Sequence, residues 1–182
     1  MNDISDDLAL SMAKNGDKDA FGILYERYVG RIYNYIYYRT GNPKEAEDLT
    51  ARVFYRAINH IGSYKNLGVP FSAWLYRIAH NLVANWHRDR SRRKEVPLEE
   101  HIELRSKSDI PETALEISQE KEKLLLAIRN LPADRQEVIL LKFLDRMSNA
   151  EIAAVTGRSE GAIKSLYHRT LLALRDNLEI SA

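Results

Sequence analysis

Lys164, Ser165, His168 and Arg169 form two pairs spaced four apart, so a helix aligns all four along one strip. Each carries a hydrogen-bond donor, and none is acidic. Such a strip at the start of a helix suits the edges of stacked bases. There Arg or Lys reads guanine in the major groove, and a good bidentate pair discriminates by about 1–3 kcal/mol. The stretch "MSNAEIAAVTGRSEGAIKSLYHR" supplies the frame for that strip. Ser148 and Glu151 have the S-x-x-E spacing of a capping box, which starts a helix. Ile152, Ala153 and Val155 give this helix a buried side, and Ala153 is small enough to let a second helix cross closely. Gly157 accepts a left-handed bend, Ser159 caps the next helix, and Ile163 and Leu166 pack back on the first. This spacing of Ala, Gly and Ile is that of a helix-turn-helix. Ser159, Glu160 and Gly161 open its second helix, where small residues let the backbone approach phosphates. Glu160 either receives a cytosine amino group or points away.

A second set of such residues stands upstream in "FSAWLYRIAHNLVANWHRDRSRR". Phe71, Trp74, Leu75, Ile78, Ala79, Leu82, Val83 and Trp86 make a wide apolar stripe. On the other side Tyr76, Arg77, His80, Asn81, Asn85 and Arg88 mix charge with amide and aromatic groups. Residues 77–94 hold six Lys or Arg against one acid. A basic face beside aromatic rings suits unstacked nucleic acid, where base stacking is worth about 1–3 kcal/mol per base.

Catalytic patterns do not emerge. His80 and His87 are seven apart with no nearby Cys, Asp or Glu to complete a metal set, and His60 and His101 are isolated. There is no Gly-rich phosphate loop, H-E-x-x-H or G-x-S-x-G. Glu45 with Glu47, and Glu99 with Glu100, read as helix-start or linker charges. The chain has no Cys, which removes disulfides and thiolate sites. No catalytic residue, metal or cofactor is expected.

The elements that must position these residues are helical, so the fold class is all-α. Residues 19–39 and 43–61 carry apolar positions at helical spacing, with Asn42 as a cap and Pro43 in a first turn. "GSYKNLGVP" is a loop leading to the helix at Phe71. Residues 1–94 make one small helical domain and 114–182 a second, which contains the helix-turn-helix. Between them, 95–113 is an acidic, flexible linker. The net charge of +1 therefore hides sorting: residues 1–94 sum to +5, 95–119 to −5 and 120–182 to +1. Extended at about 3.3–3.6 Å per residue, the linker reaches about 60 Å, which is about 18 base pairs of duplex. The acidic start lacks an apolar run, and no stretch nears the ~20 apolar residues that span a bilayer, so a cytoplasmic protein is expected.

"EAEDLTARVFYRAI", "FSAWLYRIAHN" and "SNAEIAAVTGRSEGAIKSLYHR" stand in the order and spacing of extracytoplasmic-function sigma factors, which the chain resembles over nearly its whole length except the linker. These are small bacterial subunits that direct RNA polymerase to promoters. The resemblance implies that Asp48 to Phe54 docks on the clamp helices of the polymerase's largest subunit. Asp48 and Arg52 would be polar contacts, while Leu49, Val53 and Phe54 divide between interface and core. It implies that Tyr64 to Arg88 opens the −10 element and holds a flipped base, with Tyr64, Asn66, Tyr76, Arg77, His80, Asn81 and Arg88 facing DNA. It implies that the last helix reads the −35 duplex through Ser159, Glu160, Gly161, Lys164, Ser165, His168 and Arg169. The family usually carries Gln where Ala51 stands and often Arg where Leu166 stands. Implied partners are core RNA polymerase at its clamp helices and flap region, promoter DNA both duplex and single-stranded, and an anti-sigma factor. The rival readings are a free-standing helix-turn-helix regulator acting as a dimer and a nucleic-acid-modifying enzyme on a helical tether.

Overall fold

A computed structural model describes residues 3–92 and 112–180, with side chains for 3–92 and 119–179. The described residues form eight α-helices and one 3-10 turn, without a strand. The N-terminal helices are α1 (Asp6–Lys14), α2 (Lys18–Thr40), α3 (Pro43–His60) and α4 (Phe71–Arg92), with the 3-10 turn at Ile61–Ser63. The C-terminal ones are α5 (Glu112–Arg129), α6 (Ala133–Asp145), α7 (Asn149–Thr156) and α8 (Glu160–Ile180). Residues 93–111, which contain most of the expected linker, lie outside the described residues.

Local chemistry sets the boundaries. Asp17 accepts from the Asp19 and Ala20 amides to start α2, and Gly41 ends it in a left-handed conformation at φ 70°. Asn42 then accepts from the Lys44 and Glu45 amides, and Pro43 occupies the first turn of α3. Helix α1 is an element that the sequence reading did not assign. Ser5 caps it by accepting from the Leu8 amide at 3.2 Å, and Asp6 and Asp7 sit at its positive end. Its Ala9, Leu10 and Ala13 are buried against α2.

Helix α2 is the axis of the N-terminal bundle and packs on α1, α3 and α4. Leu24, Ile32 and Ile36 of α2 meet Leu49, Val53 and Ala57 of α3 and Leu75, Ala79 and Leu82 of α4 in the core. Below the C-terminal part, Val138, Ile139 and Leu141 of α6 bury with Ile152 and Val155 of α7 and Ile163, Leu166 and Leu174 of α8. The two parts are docked: α6 lies on α2, and α7 lies on α4, so their cores are continuous. The sequence pattern separates two modules, and the tertiary structure closes one upon the other.

Candidate nucleic-acid interface

The helix-turn-helix is built from its caps upward. The Ser148 hydroxyl accepts from the Glu151 amide at 3.1 Å, while the Glu151 carboxylate accepts from the Ser148 amide at 2.9 Å. This reciprocal pair starts α7. Gly157 ends it at φ 75°, and the Ser159 hydroxyl accepts from the Ala162 amide at 3.1 Å to start α8. Ile163, Leu166 and Thr170 turn inward, so Lys164, Ser165, His168 and Arg169 face solvent along one strip. Ser159, Glu160 and Gly161 are exposed at its head. Leu166 is a packing residue here, which gives this position a different task from that of an Arg. Arg158, which the sequence reading passed over, is exposed in the turn and pairs loosely with Asp134 at 3.8 Å. A basic side chain between a left-handed Gly and a helix cap was the available signal, because helix N-termini attract phosphate.

On α4 the expected −10 residues divide. Arg77, Asn81 and Arg88 are exposed, and the Arg88 guanidinium donates to the Asn85 amide oxygen at 2.8 Å. Asn66 is exposed in the preceding loop, where its side chain accepts from the Gly68 amide at 3.0 Å. Next to it Leu67 is 83% exposed. Tyr64, Tyr76 and His80 do not face solvent as expected. Tyr64 is buried edge-on between Phe71 at 5.7 Å and Trp74 at 5.3 Å. Tyr76 is 0% exposed, edge-on to Tyr35 at 5.2 Å. His80 is half-buried, with Nδ1 on the Glu137 carboxylate. The physical reason is that α7 packs on α4, with Asp145 and Glu137 of α6 reaching Tyr76 and His80, while Tyr64 folds from its loop onto Phe71 and Trp74. His87 is held below the usual histidine range, first by burial and then by the Arg39 charge.

The expected polymerase-facing residues of α3 also divide. Asp48 and Arg52 are exposed, whereas Leu49, Val53 and Phe54 are buried in the bundle core. Phe54 packs edge-on against Tyr25 at 4.9 Å. Helical spacing places Ala51, Tyr55 and Ile58 on the same outward face as Asp48 and Arg52. Tyr55 is 70% exposed on that face.

Known families match both parts of this architecture. Sigma-70 region 2 matches residues 24–93, which hold most of α2 and all of α3 and α4, and sigma-70 region 4 matches residues 121–174. The chain is 34% identical to the ECF RNA polymerase sigma factor SigW of Bacillus subtilis (strain 168) over 181 residues, 93% of this chain and 94% of SigW. The chain belongs to the extracytoplasmic-function sigma factors. Directing RNA polymerase to promoters comes with that membership. It is 42% identical over 162 residues to the ECF sigma factor BldN of Streptomyces coelicolor, 89% of this chain and 61% of BldN. It thus spans about three fifths of that relative's length. The fold is shared with CnrH, solved in complex with the cytosolic domain of CnrY (TM-score 0.71, 22% identity, 97% of this chain and 99% of that one). It is shared also with the sigma factor RpoE of Bartonella quintana, solved with the anti-sigma factor NepR (TM-score 0.72, 22% identity, 89% and 98%).

Between region 2 and region 4 this sigma factor holds a buried polar cluster. Glu137 of α6 is 5% exposed. Its Oε1 accepts from the Tyr35 hydroxyl at 2.7 Å and pairs with Arg39 Nη1 at 3.1 Å and with His80 Nδ1. Arg39 also donates to the Tyr35 hydroxyl at 2.9 Å. Burial would raise the Glu137 carboxyl, but His80, Arg39 and Tyr35 together hold it below the ordinary glutamate value. Burial pushes the Tyr35 phenol well up, so it stays a neutral donor. At the edge of the cluster Asp145 pairs with Arg31 at 3.4 Å and faces Tyr76, and burial raises its carboxyl above the ordinary aspartate value. Among the described residues no group of three or more His, Cys, Asp or Glu could hold a metal ion. No helix among them is long and apolar enough to cross a membrane.

Proposed function

We propose that this sigma factor grips a promoter with two separate surfaces while the chemistry of RNA synthesis belongs entirely to core polymerase. Region 4 reads the −35 duplex through Lys164, Ser165, His168 and Arg169, with Arg158, Ser159, Glu160 and Gly161 at the phosphates beside the helix start. Region 2 takes the separated −10 strand on Asn66, Arg77, Asn81 and Arg88. Extruding one base costs a few kcal/mol of stacking, which a pocket at the 64–70 loop would offset. The outward face of α3, with Asp48, Arg52 and Tyr55, docks on the polymerase clamp helices, and region 4 meets the flap region. In this reading the chain acts in the cytoplasm, without a metal, cofactor or active site of its own. An anti-sigma factor is a further partner, by analogy with the RpoE–NepR complex.

The observation that carries this reading is the donor strip of α8 on a fully capped helix-turn-helix, in one chain with the exposed amide-and-arginine face of α4. Transcription in vitro from a promoter library, with purified core polymerase and this chain, tests it. Defined start sites that depend on the added chain support the reading. Their absence on every template overturns it.

A further inference from the structure

Of residues 62–70, which lead from α3 to the −10 helix, Tyr64 alone is buried, while Lys65, Asn66, Leu67 and Gly68 are exposed. Tyr64 is therefore the main anchor of this loop. From inside, Phe71 and Trp74 of α4 hold its ring edge-on at 5.7 and 5.3 Å. From outside, Lys14 at the end of α1 reaches it across 50 residues of chain. The Lys14 Nζ donates to the Tyr64 carbonyl at 2.8 Å and stands 5.9 Å from the centre of the Tyr64 ring. Helix α1 also packs on the 3-10 turn that precedes Tyr64.

A lysine in the last turn of a helix can serve that helix's own free carbonyls. Here those carbonyls are already served: the Asn15 amide donates to Ser11 and Met12, the Gly16 amide to Ala13, and the Asp17 amide to Met12. The Lys14 ammonium turns away from α1 and binds the loop instead. The other end of α1 is tied as well. The Asp6 carboxylate pairs with Arg27 at 2.6 Å and accepts from the Tyr28 hydroxyl, and Tyr28 lies edge-on to Phe71 at 6.0 Å. Arg27 also donates to the Ile4 carbonyl at 2.6 Å. Both ends of α1 are thereby joined to the ring cluster of Tyr28, Phe71, Trp74 and Tyr64, so Lys14 acts on the loop from a fixed base.

We propose that α1 braces the −10 loop and that Lys14 is a positioning residue for base reading, holding the Tyr64 carbonyl so that Asn66 and Leu67 stand ready for an unstacked base. The base-reading step rests on the region 2 reading above; the brace itself is a property of the chain alone. Lys14 touches no base and acts through the backbone of the loop. The loop is prepared from its own side too, since the Asn66 side chain accepts from the Gly68 amide at 3.0 Å and Gly68 adopts φ 85°. A loop ordered before binding avoids the entropic cost of ordering and keeps its polar groups in one geometry. A loose loop would adapt to several bases and tell them apart poorly.

Lys14→Met keeps the side-chain stem and removes the ammonium, and Lys14 is exposed, so the bundle should fold unchanged. In the full chain alone, amide hydrogen exchange at Lys65 to Val69 should quicken at least fivefold. In holoenzyme assembled with core polymerase, the probe is a single-stranded oligonucleotide with the −10 sequence of a promoter that it transcribes, beside a set with each base replaced in turn. The variant should lose at least fivefold in discrimination at one position, with −35 duplex affinity unchanged. Lys14→Arg, which can donate to the same carbonyl, should restore both readouts. Lys18→Met, which removes the same charge from another exposed site, should alter neither. Unchanged exchange or unchanged discrimination in Lys14→Met overturns the proposal. Equal weakening for every oligonucleotide overturns it too, because that is the mark of a phosphate contact. Faster exchange in the variant with no base preference in the wild type would instead sink the region 2 reading and leave the brace standing.

Discussion

Arg169 is exposed and holds its Nε only 3.4 Å from the Ser165 carbonyl of its own helix, a bond easily given up for a base edge. Arg169→Ala should weaken duplex binding and relax preference at a single −35 position by about 1–3 kcal/mol, measured by competition among variant duplexes. Loss spread evenly over all positions would assign Arg169 to phosphate instead. Asp48 stands on the outward face of α3, clear of the core. Asp48→Arg should cut association with core polymerase in a pull-down titration while the far-ultraviolet dichroism stays unchanged. Normal association would remove Asp48 from the interface. At this scale the sequence identified residue types and helical faces well for α8, whose outer strip meets no other helix. It misplaced Tyr76 and His80, because a polar or aromatic group on a basic helix reads as solvent-facing until a second layer is known to cover it, and Tyr64, which its loop folds onto Phe71 and Trp74.

The helices themselves rest on local devices that are visible in the chain. The reciprocal Ser148–Glu151 cap and the left-handed Gly157 set the angle at which α8 leaves α7. Ser148→Ala should cost about 1 kcal/mol of stability, seen as a lowered Tm in a thermal melt. Because the cap aims the reading helix, −35 duplex affinity should fall with it while single-stranded −10 binding holds. An unchanged melt would mean that packing on α4 and α8, not the cap, defines α7. Helix α1 escaped notice because it is only nine residues long and buries just Ala9, Leu10 and Ala13 in an acidic stretch. Its capping Ser5, followed by two acids in the first turn, was the legible clue.

The whole molecule adds the docking of region 4 on region 2, and with it a pH dependence. Glu137 titrates below the ordinary glutamate value of 4.5 in the docked chain. Its contribution is therefore fully present above pH 4.5 and is lost as the pH falls through its own lower value. Asp145 works in the opposite sense. Its carboxyl is raised above the ordinary 3.8, so its contribution is present below pH 3.8 and is lost as the pH rises through the raised value. Arg39, His80 and Tyr35 face Glu137, and Arg31 and Tyr76 face Asp145. The closed form should thus persist from neutral pH to 4.5 and open only in stronger acid, as followed by energy transfer between dyes on Lys18→Cys and Arg175→Cys, both exposed sites in a chain without Cys. Glu137→Gln should lack that acid step; an identical step in that variant would place the titration elsewhere.

By itself the sequence determined the helices other than α1, the caps at Asn42, Ser148 and Ser159, the helix-turn-helix and the family, since these depend on residues within a few turns of one another. It also separated the basic bundle from the acidic stretch that follows. Only the tertiary structure decided which side of α4 is open, that Leu49, Val53 and Phe54 face inward, and that Glu137 finds Arg39 and His80 across 98 and 57 residues of chain. Such pairings depend on how separately amphipathic faces meet, and periodicity along one helix carries no record of its neighbour.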